Sequence, residues 1–147
     1  MNYYNQIKDV LINNEVYKKV KDYSKNKNEL NSYYEVGKLL VEAQGGEARA
    51  KYGNQLIKEY SEKLTKELGK GYSTRSLKYM RQFYLYIQKG HAMNAQLSWT
   101  HYRILLKLSS KEEINYYIYI TEKENLSYRK LNERIKSKLT KEKRKVY

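Results

Sequence analysis

Between Tyr60 and Lys89 apolar residues recur at helical spacing on both sides of a short glycine break, and this constrains the fold more than any other feature. On the first side Leu56, Tyr60, Leu64 and Leu68 share one stripe. Gly69 and Gly71 then bracket Lys70, which suits a reversal where φ turns positive. Ser73 is placed to cap a helix that begins at Thr74. In that helix Leu77, Met80, Tyr84 and Ile87 fall on one side. Arg75, Lys78, Tyr79, Gln82, Tyr86 and Lys89 fall on the other. The layout is that of a helix-turn-helix, whose second helix enters the major groove of DNA. A plain helical hairpin with a solvated basic face gives the same local pattern, so charge has to weigh in.

The 147 residues carry 30 Lys and Arg against 16 Asp and Glu, a formal charge of +14. Like charge at this density repels itself and attracts polyanions. The excess is also concentrated. From Lys63 to Lys89 the cations are Lys63, Lys66, Lys70, Arg75, Lys78, Arg81 and Lys89, and Glu67 is the single acid. A lysine-, asparagine- and tyrosine-rich coding bias would account for 18 Tyr beside one Phe, but a bias does not choose which segment lacks acids.

The chain contains no proline, which favours helices over rigid turns, and no cysteine, which excludes disulfides and thiolate metal sites. The N-terminus lacks the apolar run of a signal peptide, and no stretch of about 18 apolar residues exists. No membrane association and a cytoplasmic location are the default expectations. A first helix is expected over about Tyr3–Asp22 with Tyr3, Ile7, Val10, Leu11, Tyr17 and Val20 inward, softened by SKNKNELN. A second runs over about Glu29–Ala43, where mid-helix Gly37 implies a close helix crossing or aromatic packing. After Lys89, GHAMNAQLS reads as a loop with room for a small wing hairpin at Gly90–Gln96. Ser98 caps a short helix containing Trp99, Tyr102, Leu105 and Leu106; Ser110 and Glu113 open the next; Ser127 opens the last, with Leu131, Ile135 and Leu139 inward. NYYIYI reads as strand alone and as helix in its capped frame. The expected architecture is all-α: one helical domain over residues 1–139 with a helix-turn-helix, winged-helix-like core, then a frayed basic tail over 140–147.

Four segments in order, YYEVGKLLVE, GGEARAKYGNQLIKEYSEKLTKELGKGYSTRSLKYMRQFY, QLSWTHYRILLKL and LSYRKLNERI, resemble the N-terminal domain of the YhcG family. The resemblance covers Leu30 to Leu139. It implies a helical, winged-helix-like, DNA-engaging domain of the kind that precedes a PD-(D/E)xK nuclease domain. LSWxxYRILLKL followed by LSYRKLNERI is also similar to the paired motifs in the helix-turn-helix region of ParB-type partition proteins.

Catalysis is not expected of these residues. A PD-(D/E)xK site needs carboxylates on adjacent strands around Mg²⁺, yet Asp9 and Asp22 are the only aspartates and both fall in the N-terminal helical region. His91 and His101 lack ligand spacing, so His101 is assigned to packing or capping, and the GKG turn lacks the length of a P-loop. Trp99 is assigned to the core. The expectation is a non-catalytic, cofactor-free module for double-stranded DNA. Lys70, Thr74 and Lys89 would meet phosphates, Arg75, Lys78 and Gln82 base edges, and Tyr79 a phosphate or a thymine methyl. Arg129 and Lys130 are secondary candidates. Two alternatives stay open: an interaction module that docks a separate nuclease or a second copy through Leu30–Val41, and a truncated nuclease subunit.

Overall fold

The computed structural model describes residues 2–18, 25–46 and 53–146, with side chains at 16–18, 25 and 139–146 left aside. Seven helices are present among these residues: α1 (Tyr3–Lys18), α2 (Lys25–Ala43), α3 (Asn54–Leu68), α4 (Thr74–Gln88), α5 (Trp99–Leu105), α6 (Lys111–Glu124) and α7 (Tyr128–Val146). They divide into two compact units, Met1–Ala95 and Gln96–Tyr147. No described residue lies in a strand, and no described helix is long and apolar enough to cross a membrane.

In the first unit α1 and α4 both pack on α2. Ile7 and Leu11 of α1, Leu30, Val36 and Leu40 of α2, Ile57 and Leu64 of α3, and Leu77 and Phe83 of α4 are fully buried. Removing such a side chain from water stabilises by about 1.5–3 kcal/mol. Gly37 explains how α2 and α4 come so close. A Cβ there would stand 2.2 Å from the Met80 carbonyl oxygen and 2.7 Å from Tyr84 Cβ, so only glycine fits. Beside the crossing the rings of Tyr34 and Tyr84 meet edge-on, with centroids 5.0 Å apart.

Several expectations need correction. The inward face of α3 is set by Ile57, Ser61 and Leu64, while Leu56, Tyr60 and Leu68 are only half-buried. Ser61 is inward because its hydroxyl donates to the Tyr72 carbonyl at 2.7 Å. Residues 90–96 form no wing hairpin, for they lack strand alternation and His91 is occupied in stacking flat on Tyr86, centroids 4.2 Å apart. Tyr86 is buried rather than outward-facing. Within the basic tail, α7 continues to Val146, in keeping with the good helix formers Lys, Arg, Glu and Leu along it. Residues 19–24, with Val20 and Asp22, and the loop 47–52 lie outside the described residues, as do the side chains of Tyr17 and Leu139.

The second unit contains three further serine-capped helices. Ser98 Oγ accepts from the His101 amide, and the Ser98 amide donates to His101 Nδ1 at 3.1 Å, closing a capping box. Because Nδ1 accepts, the proton sits on Nε2, which donates to the Leu126 carbonyl at 2.8 Å. His101 thus caps α5 and fastens the segment leading into α7. Ser110 Oγ accepts from the Glu113 amide, and Ser127 Oγ from the Lys130 amide. Trp99, Tyr102, Leu105, Ile114, Tyr117, Leu131 and Ile135 form the core, so NYYIYI is helical with Tyr117 inward.

Candidate nucleic-acid interface

The α3–α4 connection follows from its residues. Gly69 and Gly71 adopt φ of 98° and 114°, values that a side chain would strain, and Lys70 stands exposed between them. Tyr72 then turns inward and is 6% exposed, with its hydroxyl donating to the Glu15 carboxylate of α1. Burial first, then this carboxylate, raises the Tyr72 pKa. Ser73 follows as N-cap, its Oγ accepting from the Ser76 amide at 3.1 Å, and Thr74 opens α4. The first turn of α4 is therefore held by a cap, an inward tyrosine and a hydroxyl–carbonyl bond from α3.

On α4 the polar and apolar arcs are separate over most of the helix, with Tyr86 buried on the otherwise polar side. Leu77, Met80, Phe83 and Tyr84 are buried. Arg75, Lys78, Gln82 and Lys89 are exposed and, at 3.6 residues per turn, fall within an arc of about 60°. Thr74 and Tyr79 flank it half-exposed. Thr74, Arg75, Lys78, Tyr79 and Gln82 line a shallow depression of about 370 Å³. Lys70, Arg75 and Lys78 have no carboxylate partner among the described residues. Lys89 lies at the far end as the C-cap residue.

Two other cations of the Lys63–Lys89 run are engaged within the unit. Arg81 is half-buried and donates to Gln44 Oε1 at 3.1 Å, while the Gln44 amide donates to the Gly53 carbonyl; desolvation lowers the Arg81 pKa. Lys63 stands over the Tyr4 ring at 5.4 Å. Glu67, the one acid of the run, pairs with Lys8 of α1, a hydrogen bond that lowers its pKa. Arg81 looks like surface charge in the sequence, and only its half-buried helical register could have flagged its internal role.

Arg129 and Lys130 are exposed in the first turn of α7, in the second unit. Lys130 lines a depression of about 340 Å³ with Leu126, Glu133, Arg134 and Ser137. Asp9 is exposed on α1, and no three His, Cys, Asp or Glu side chains among the described residues gather to hold a metal ion.

Residues 10–142 match the DUF1016 N-terminal domain. The chain belongs to this family. A protein of Escherichia coli (strain K12) named "Putative nuclease YhcG" is 50% identical to it over 58 residues, 39% of this chain and 16% of that protein. The chain therefore matches about a sixth of that relative's length. No solved structure matches it. The DUF1016 N-terminal domain match agrees with the YhcG resemblance carried by the four sequence segments.

Proposed function

We propose that this DUF1016 N-terminal domain binds double-stranded DNA through α4 and performs no catalysis itself. The observation that carries the reading is the outward arc of Arg75, Lys78, Gln82 and Lys89 on a helix whose opposite arc is locked in the core. A helix of this kind can approach a groove without exposing apolar surface, and its outward-facing cations neutralise phosphates. Arg75, in the first turn, is placed to fork onto guanine, and Gln82 to pair with adenine. Lys70 and Lys89 bracket the helix as phosphate contacts, with Thr74 and Tyr79 beside them.

Duplex binding measured across a salt series tests this. With about 5 phosphates neutralised, log K should fall against log salt with a slope of about −4 to −5. No retention of any duplex at low salt would refute the reading.

A second reading rests on the 58-residue match to a protein named as a nuclease, in which the domain recruits or regulates a separate nuclease chain or completes a truncated one. Binding to such a chain without any binding to DNA would favour it.

A further inference from the structure

The second unit carries a surface that the α4 reading does not use. On α6, Tyr116 and Tyr119 point outward and are 52% and 57% exposed, unusual values for rings this large. They are three residues apart, hence neighbours on one helix face. Each ring has an ammonium over it. Lys138 of α7 stands 5.5 Å from the Tyr116 centroid, and Lys123 stands 5.6 Å from that of Tyr119.

Tyr116, Tyr117, Arg134, Ser137 and Lys138 line a depression of about 170 Å³, and Arg134 and Ser137 also line the depression that contains Lys130. The two therefore adjoin along α7. From Lys130 to Lys138 the track is about 12 Å long at 1.5 Å per residue. Over residues 129–138 the charges are Arg129, Lys130, Arg134, Lys136 and Lys138 against Glu133 alone.

We infer that this α6–α7 face is a binding site for single-stranded nucleic acid, with bases stacked on Tyr116 and Tyr119 and phosphates along Lys130 and Lys138. Stacking needs bases with open faces, which a duplex does not offer, and it tolerates any base because every base has a π-face. Arg134 is already forked onto Glu124 at 3.0 and 3.2 Å, so it shapes the track and leaves the phosphates to the lysines. A second copy fits this face poorly, because an isologous contact would bring the two cationic strips together. A membrane fits poorly as well. The described aliphatic side chains of α7, Leu131 and Ile135, are buried in the unit and cannot insert.

The test uses the full chain and a fluorescently labelled oligothymidylate, with anisotropy as the readout. Tyr116→Ala and Tyr119→Ala should each weaken binding about fivefold or more, the equivalent of about 1 kcal/mol of stacking. Tyr119→Phe keeps the ring and should bind as the parent does. Lys138→Ala should reduce the salt slope by about 0.7. Arg75→Ala, on the other unit, should leave oligothymidylate binding unchanged while affecting duplex, so the two sites fail separately. An oligouridylate that binds as well supports the same site. Unlabelled duplex competing as well as single strand would overturn the inference, as would alanine variants that bind like the parent. Polyglutamate or anionic phosphatidylserine vesicles displacing the oligonucleotide from parent and alanine variants alike would overturn it too, by showing a site for charge alone.

Discussion

The Met80 carbonyl oxygen occupies the space that a side chain on Gly37 would need, 2.2 Å from where its Cβ would be. A backbone atom cannot swing aside as a side-chain tip can, so this contact fixes the depth at which α4 lies on α2. The helix presenting Arg75 and Lys78 is positioned by a missing methyl group.

Gly37→Ala should therefore destabilise the protein by about 1–3 kcal/mol as an overpacked core does, even though alanine is the better helix former by about 1 kcal/mol. Denaturant unfolding measures the balance. An alanine variant as stable as the parent would mean that the helices separate freely at this crossing.

Neighbouring residues on α4 should respond in opposite ways. Leu77 is fully buried, and Leu77→Ala should cost about 2–5 kcal/mol. Lys78 is exposed without a carboxylate partner among the described residues, and Lys78→Ala should stay within about 0.5 kcal/mol of the parent. Comparable losses in the two variants would place the core arc wrongly.

Position along α4 should separate reading from holding. On a preferred duplex, Arg75→Ala should cost about 1–3 kcal/mol and relax preference at one base pair. Lys89→Ala should weaken all duplexes alike and lower the salt slope by about 1. Both changes remove one charge, so geometry alone can make them differ. Identical behaviour on specific and random duplexes would reduce the helix to a charged surface and favour the interaction reading.

Tyr4 and Tyr72 should titrate late. Burial, with the Glu67 carboxylate nearby, pushes Tyr4 up to about 12, and burial with the Glu15 hydrogen bond raises Tyr72. Because the fold favours the neutral phenol, this contribution is complete below the ordinary value near 10 and is lost as pH rises through the raised values. Glu67 has the opposite sign. Its pKa is lowered from 4.5, so its contribution is present above that value and disappears on acidification. Tyrosinate absorbance during alkaline titration should show a late component that Glu15→Gln reduces. A single transition at the free-tyrosine value would contradict the Tyr72 environment.

His101 should matter for the fold of the second unit and not for binding chemistry. His101→Ala removes its bond to the Ser98 amide and its bond to the Leu126 carbonyl, at about 1 kcal/mol each. Hydrogen exchange at the Ser98 amide should accelerate. Unchanged exchange would show that the capping box contributes nothing there.

Local chemistry made much of this legible in advance. Ser73, Ser98, Ser110 and Ser127 each cap the helix that their spacing announces, because a cap needs only the next three residues. The positive-φ glycines around Lys70 are an equally short-range signal, and a glycine in mid-helix at position 37 marks a close crossing without naming its partner. What escaped depends on residues distant in sequence or on a choice between equivalent patterns. Tyr86 has an outward helical position, yet it is buried and stacked on the His91 ring. Leu56 and Ile57 are both apolar, so nothing local says which one faces the core. Arg81 is drawn inward by Gln44, 37 positions earlier.

Tyr72 connects through its hydroxyl to Glu15, 57 residues upstream, and through its carbonyl to Ser61, and the next residue is the cap of α4. The mount of the outward-facing helix is thus separate from the residues it displays. Relatives could then diverge in what α4 recognises by exchanging Arg75, Lys78 and Gln82 while keeping Glu15, Ser61 and Tyr72, and an engineer could graft a new set of displayed residues onto the same mount. Conversely, a change at Glu15 would alter the aim of every displayed residue at once without touching any of them.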